Sequence, residues 1–212
     1  MDRRRFLNQA GIGSIALASL PALQHALSAA ASADGGADHV RWDIISLTGG
    51  APPGPINPGG HADARAPDNT FIRLTGSGRF VAPPGGDGGS GAATGGGTWE
   101  TFSGPPSPAT STGSGTYWVT ELVSWEFANF QVPPPAFIDN IDEGRAANGN
   151  AVLKIAFSDG AQGVLTVGCH GPGAPPGIFE GVATTKRFKT YYDVQPPQAG
   201  VDANRTIFHV RR

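Results

Sequence analysis

The chain has 212 residues, with 32 glycines, 19 prolines and one cysteine, which is the length of one domain and too short for two of ordinary size. Hydrophobic residues make up 39% of it and charged residues 15%, which excludes a highly charged disordered chain. With 15 basic and 17 acidic side chains, it lacks the concentrated positive face of a nucleic-acid-binding protein. We therefore expect a globular domain with long loops and no nucleic-acid partner.

The N-terminus has the layout of an export signal. It begins with basic and apolar residues, which are Arg3, Arg4, Arg5, Phe6 and Leu7. The apolar stretch that follows, Ala10 to Leu23, is too short to span a bilayer, and Ala31-Ser32-Ala33 offers a cleavage site. The segment resembles a twin-arginine (Tat) signal. The resemblance implies export of a folded protein by the Tat machinery to the periplasm or the cell exterior; a Sec signal or an uncleaved anchor are the alternatives.

This interpretation divides the chain into a signal peptide, residues 1–33, and a mature domain, residues 34–212. No other apolar run approaches the length of a membrane-spanning helix, so we expect the mature domain to be soluble. The single Cys169 cannot form an intrachain disulfide. The stability of the mature domain must therefore come from packing.

The mature sequence predicts strands and almost no helix. Apolar residues recur with the period of a strand in eight segments, which are Val40–Leu47, Thr70–Val81, Gly97–Phe102, Thr116–Phe127, Ala151–Ser158, Gly163–Cys169, Phe179–Tyr192 and Arg205–Val210. The glycine- and proline-rich stretches between them predict loops at Gly49–Gly60, Pro83–Gly97, Ser103–Gly115 and Gly171–Gly177. Long strands with internal glycines bend as in closed barrels. We predict an all-β fold, a single antiparallel β-barrel of about eight strands, with a β-sandwich as the alternative.

The glycine-kinked segment Leu74-Thr75-Gly76-Ser77-Gly78-Arg79-Phe80 resembles strands of the dirigent and allene oxide cyclase barrels. The likeness extends over roughly a third of the chain and includes no catalytic motif. It implies a small barrel whose interior serves isomerase, cyclase or lyase chemistry.

One hairpin can be predicted in detail. The segments Ala151–Ser158 and Gly163–Cys169 are joined by Asp159-Gly160-Ala161-Gln162, a turn sequence of the Asp-Gly kind. Alternation along the second strand places Cys169 on the inner face and His170 on the outer face. Cys169 is therefore expected in the core, where His170 cannot activate it as a nucleophile.

A carboxylate among valines is the leading candidate for a catalytic group. Alternation along Thr116–Phe127 puts Glu121 on the apolar face, and burial of a lone carboxylate costs several kcal/mol. If the last strand also turns His209 inward, His209 and Glu121 form an acid/base pair inside the barrel. A bulge beside Glu121 or a place at the sheet rim would instead turn it outward. The opposite phase of the last strand leaves His209 facing solvent or a neighbouring chain.

Aromatic residues suggest a second kind of site. Trp99 and Trp118 lie on the strands that flank the loop Ser103–Gly115, and Tyr117 precedes Trp118. Together they predict a platform for a sugar or another flat ligand, with core packing as the alternative.

A metal site is the third possibility. His61 and Asp63 lie two residues apart, and Cys169, His170 or His209 could complete a ligand set. No recurrent metal-binding spacing is present, so we predict no metal and no cofactor.

Two functions remain: a non-catalytic domain that binds a carbohydrate or small molecule, or an isomerase-, cyclase- or lyase-type enzyme with Glu121 as acid/base.

Overall fold

The computed structural model describes residues 37–47, 54–82, 92–132 and 138–212. The signal residues Arg3, Arg4, Arg5, Phe6 and Leu7, and residues 83–91 of a predicted loop, lie outside these ranges. The described part contains 13 strands and no helix: β1 (Asp38–Leu47), β2 (Ile56–Pro58), β3 (Ala62–Arg65), β4 (Phe71–Leu74), β5 (Ser77–Ala82), β6 (Ala93–Phe102), β7 (Ser111–Phe130), β8 (Arg145–Phe157), β9 (Gln162–Cys169), β10 (Gly181–Lys186), β11 (Lys189–Tyr191), β12 (Asp193–Val194) and β13 (Thr206–Arg211). A search of the same residues for a helix with the length and apolarity needed to cross a bilayer found none.

Six antiparallel strands close into a barrel. The ring runs β8, β13, β1, β5, β6, β7 and returns to β8. Further strands bond outside the ring: β4, β3 and β12 extend from β6, whereas β9, β10 and β11 extend from β8. The predicted all-β barrel is confirmed, with six strands in the closed ring and the others beside it.

The barrel interior is filled by large aromatic side chains. Trp42, Phe80, Trp125 and Phe208 are fully buried. The Trp125 ring packs edge-on against Phe80 and Phe208, with ring centres 5.5 and 4.6 Å apart. Such pairs stabilise a core beyond the area that they bury. The interior of the ring is thus a packed core.

The long strand β7 bends around the barrel by means of bulges. Its pairing with β8 shifts register between Val119 and Glu121, and again between Leu122 and Ser124. Each bulge inserts one extra residue and moves the inward face by one position. The buried residue between Val119 and Trp125 is consequently Leu122.

Several predicted boundaries need correction. The segment Thr70–Val81 is two strands, β4 and β5, which are separated at Gly76, whose φ is 145°. Phe179–Tyr192 likewise divides into β10 and β11 around Arg187, whose φ is 57°. The predicted loops Pro83–Gly97, Ser103–Gly115 and Gly49–Gly60 contain the start of β6, the start of β7 and β2, respectively. Glycine- and serine-rich strands lack the apolar alternation that reveals a strand.

The predicted hairpin between β8 and β9 is confirmed. Ala156 pairs with Gln162, and Gly160 takes the positive φ of 80° that its turn requires. The inner face of β9 carries the buried side chains Leu165, Val167 and Cys169, as alternation predicts.

A second hydrophobic cluster lies on the outside of the barrel. Its buried members are Ile45, Leu47, Ile56 and Ile207, and Ile141 packs against them. Residues 138–144, which we call the strap, pass over this part of the barrel wall. The strap is held at one end by backbone hydrogen bonds between Ile56 and Ile138 and between Asn140 and Ile56.

Candidate functional site

Glu121 lies on the outer surface of the barrel. The bulge before it turns its side chain outward, where Glu121 is 39% exposed and its Oε2 accepts a hydrogen bond of 2.7 Å from Lys154 Nζ. The prediction that Glu121 faces the core is therefore wrong, and the bulge alternative is correct. The residue is part of a surface ion pair across β7 and β8.

His209 is buried on the outer side of the barrel wall. Phe208 and Val210 belong to the barrel core, whereas His209 points away from it and is nonetheless 0% exposed. The strap covers it, and His209 Nε2 lies 2.6 Å from Asp139 Oδ2. The phase of the last strand that turns His209 outward is confirmed. Its exposure to solvent and its pairing with Glu121 are wrong, because a segment 70 residues away in sequence supplies its cover and its carboxylate.

The strap forms further ion pairs with the barrel wall. Glu143 binds both Arg41 and Arg79. Arg41 in turn donates two hydrogen bonds, of 2.7 and 2.8 Å, to the fully buried carboxylate of Asp43. Burial is the largest single influence and would raise the pKa of Asp139, but the hydrogen bond with His209, together with those from the backbone N–H groups of Ile141 and Asp142, holds that pKa below its usual value. These charges are paired with one another, so the cluster fastens the strap to the wall.

Glu180 is a partly buried carboxylate just before β10. Its two oxygens accept the backbone N–H groups of His170, at 2.5 Å, and Thr206, at 2.6 Å. Burial is the main influence and raises the pKa of Glu180 to about 7. Glu180 follows a proline- and glycine-rich loop without any alternating pattern, so no sequence signal singles it out.

Cys169 is a core residue next to this carboxylate. Its Sγ donates to the carbonyl oxygen of Thr206 at 3.3 Å and lies 3.2 Å from Gln131 Nε2. Burial raises the pKa of the Cys169 thiol well above its ordinary value. A neutral, enclosed thiol of this kind is a poor nucleophile.

The possible metal ligands are dispersed. Asp63 is held by two hydrogen bonds from Arg73, of 2.8 and 2.9 Å. Burial and the charge of Arg73 both lower the pKa of the neighbouring His61. Within the ranges that the model describes, no three His, Cys, Asp or Glu side chains are grouped so that they could hold a metal ion.

The three predicted aromatic residues do not share a surface. Trp99 and Tyr117 are buried in the core, where the Tyr117 hydroxyl donates to the carbonyl oxygen of Thr75 at 2.8 Å. Trp118 faces outward and is 49% exposed. Consecutive residues of a strand point to opposite faces, so Tyr117 and Trp118 cannot serve one ligand. Of the predicted platform, only Trp118 is on the surface.

The indole of Trp118 stands among very small neighbours. Trp118 pairs with Gly96 on β6 and with Ala156 on β8, and Gly96 pairs in turn with Ser77 on β5. None of these three residues has a side chain large enough to cover an indole. This is consistent with the 49% exposure of Trp118 on this part of the barrel wall.

Polar groups surround the indole along the strands. One row of hydroxyl side chains contains Thr75, Thr98, Thr116 and Ser158: Thr98 pairs with Thr116, the hydroxyls of Thr75 and Thr98 are 2.7 Å apart, and Ser158 Oγ accepts the N–H of Thr116 at 3.0 Å. On the other side of Trp118 lie Thr120 and the Glu121–Lys154 ion pair. We call this outer surface of β6, β7 and β8 the Trp118 face.

No protein-family model, no curated protein and no solved structure matches the chain. Inferences about function therefore rest on the chemistry of its own residues.

Proposed function

We propose that the protein is a non-catalytic carbohydrate-binding domain and that its ligand stacks on Trp118. The main support for this proposal is the exposed indole of Trp118. It is flanked by Gly96 and Ala156 and lies between a row of hydroxyl side chains and an ion pair. A sugar ring has apolar C–H faces and a rim of hydroxyl groups. An accessible indole suits the faces, and threonine and serine hydroxyls, which both donate and accept, suit the rim.

The state of the acidic groups favours binding over acid/base catalysis. Glu121 forms an exposed ion pair with Lys154, and both oxygens of Glu180 are engaged by backbone N–H groups. The packed aromatic interior supports a ligand on the outside of the barrel in preference to one in its lumen.

Native affinity electrophoresis tests the proposal. The protein is run through gels that contain neutral polysaccharides (hydroxyethyl cellulose, laminarin, galactomannan) or acidic ones (alginate, polygalacturonate, heparin). We expect at least one gel to retard the wild type, and Trp118→Ala to abolish the retardation. Phe188→Ala is the matched control, because Phe188 is a fully exposed aromatic residue in another part of the chain. Migration unaffected by all six polymers, or equal retardation of Trp118→Ala and wild type, would overturn the proposal.

We also infer that the chain is exported through the Tat pathway, so that it meets its ligand in the periplasm or outside the cell. The inference rests on Arg3, Arg4 and Arg5 ahead of Phe6 and Leu7. Replacement of the three arginines by lysines should leave the precursor in the cytoplasm, as should a host without the Tat translocase. Asp2→Asn is the control for a harmless change in the same segment. Export of the lysine variant at the normal rate would contradict this inference.

A further inference from the structure

The ion pair beside Trp118 is available to a ligand without loss of the fold. Lys154 and Glu121 are 53% and 39% exposed, and exposed pairs of this kind contribute about 0–1 kcal/mol to stability. The ammonium group has three donors and the carboxylate about four acceptor positions. The hydrogen bond between them uses one of each, which leaves donors and acceptors free side by side.

The pair is also close to the indole. Glu121 follows Trp118 by three residues on β7, and the bulge between them shortens the path along the strand. At a rise of about 3.3 Å per residue, the two side chains start at most about 10 Å apart. Both face outward on the same wall, so a ligand that extends from Trp118 along β7 meets Glu121 and Lys154.

Carboxylates outnumber cations on the strands of the Trp118 face. These strands carry Glu100, Glu121 and Glu126 against Lys154 and Arg145, and Arg145 lies at the far end of β8, where its guanidinium packs over the ring of Phe130. Lys154 is engaged by Glu121, and Arg73, which pairs with Glu100 across β4 and β6, is engaged by Asp63. An anionic ligand at Lys154 or Arg73 would thus be brought beside a carboxylate, and this juxtaposition of like charges disfavours the complex.

We propose that Glu121 and Lys154 form a second subsite of the Trp118 face, one that hydrogen-bonds adjacent hydroxyl groups of a neutral glycan and rejects acidic glycans. This inference rests on the proposed function and goes further by naming the ligand class. Glu121 and Lys154 are specificity-determining residues here, with Trp118 as the stacking residue. The subsite gives Glu121 a role other than the acid/base role that its position in the sequence first suggests.

The test uses the same six polysaccharides with purified full-length mature protein. The variants are Glu121→Gln, Lys154→Gln and the exchanged pair Glu121→Lys with Lys154→Glu, which restores an ion pair with reversed positions. We expect the wild type to bind neutral polymers and no acidic polymer. Lys154→Gln should weaken neutral binding about tenfold, which corresponds to about 1.4 kcal/mol. Glu121→Gln should lose neutral affinity to a similar extent and gain measurable binding to polygalacturonate or alginate, because Lys154 is then unpaired.

The exchanged pair serves as the control, and we expect it to keep the preference for neutral polymers. Suppose that Trp118→Ala abolishes binding. Tight binding of wild type to acidic polymers, or unchanged selectivity in both single variants, would then overturn the subsite but not the proposed function. If Trp118→Ala has no effect, both the proposed function and the subsite fail. Thermal unfolding of each variant confirms that it is folded, as expected for exposed positions.

Discussion

The carboxylate of Glu180 accepts the backbone N–H of Thr206 at 2.6 Å and thereby joins the segment before β10 to the first residue of β13. Its other oxygen accepts the N–H of His170 at the end of β9. One side chain thus connects the segment before β10, the end of β9 and the start of β13, a strand of the closed ring. Because that side chain is largely withdrawn from water, its charge costs free energy in the folded state.

This burial predicts a specific dependence of stability on pH. The pKa of Glu180 is raised from 4.5 to about 7 in the folded protein, so between these pH values the folded state keeps a proton that the unfolded state has released. The contribution of Glu180 to the free energy of unfolding must therefore fall as pH rises from about 4.5 to 7. Urea unfolding of Glu180→Gln, which cannot titrate, should lack this fall.

The wild type must be compared with the variant, since other groups titrate in the same range. The lowered pKa of His61 makes stability rise with pH toward 6.5, the opposite sign. The difference between wild type and Glu180→Gln cancels the His61 contribution. Parallel stability curves for the two proteins from pH 5 to 8 would show that Glu180 is not protonated near neutrality.

The strap should depend on the pair of His209 and Asp139. Asp139→Ala removes the carboxylate that lies 2.6 Å from Nε2 of the fully buried His209 imidazole, whose Nδ1 has no hydrogen-bond partner among the residues that the structure describes. A buried polar group left without a partner costs about 1–3 kcal/mol, and we expect a loss of that size in the free energy of unfolding. Asp142→Asn, at an exposed position of the same segment, is the control; Asn tolerates the positive φ of 42° there, so this substitution should change it by less than about 0.5 kcal/mol. Equal effects of the two substitutions would refute a special role for the pair.

Gly96 should tolerate no side chain. A Cβ at Gly96 would overlap the carbonyl oxygen of Tyr117 and lie 3.0 Å from the Cα of Trp118, so β6 and β7 would have to separate. Gly96→Ala should lower the free energy of unfolding by about 3 kcal/mol or more. Gly160→Ala is the comparison, since a Cβ there has nothing within 4 Å and the expected cost is only that of a positive φ for an L residue, about 1–2 kcal/mol. Similar midpoints of urea unfolding for the two variants would contradict this account.

Lys186 should stabilise the edge of the core through the ring of Trp99. Its Nζ lies 4.0 Å from the ring centre and also pairs with Asp159, and its side chain is only 11% exposed. Lys186→Met keeps the aliphatic stem and removes the charge. We therefore expect the free energy of unfolding to fall by about 1–2 kcal/mol, as for a partly desolvated cation–π contact. Lys189→Met, at a more exposed pair with Asp68, should lower the free energy of unfolding by a smaller amount. The reverse order in thermal unfolding would rule out the contact as a source of stability.

The sequence predicts the strands well where apolar residues alternate over a long run. The first two of the three register shifts between β7 and β8 show how alternation can mislead: the first turns Glu121 outward, the second restores the original phase, and Trp125 returns to the inner face. Apolar residues at both ends of the run therefore fit an unbroken strand. Only Glu121, Leu122 and Val123, in the middle, are assigned to the wrong side.

The functional candidates were predictable to a smaller extent. Trp118 could be recognised as an aromatic strand residue, but its exposure depends on which strands become its neighbours. The partnership of His209 with Asp139, and that of Glu180 with Thr206, join residues 70 and 26 positions apart. Such contacts follow from the closure of the barrel, and no local pattern encodes them.

The most direct test of ligand binding at Trp118 uses the tryptophan fluorescence of the whole protein. Trp42, Trp99 and Trp125 are buried, so Trp118 is the indole that iodide can reach, and Trp118→Phe should abolish most of the quenching. The neutral polysaccharide that retards the protein in gels should, at saturation, protect the wild type from iodide. Binding of that polysaccharide with undiminished quenching would contradict the account, because the ligand would then lie elsewhere.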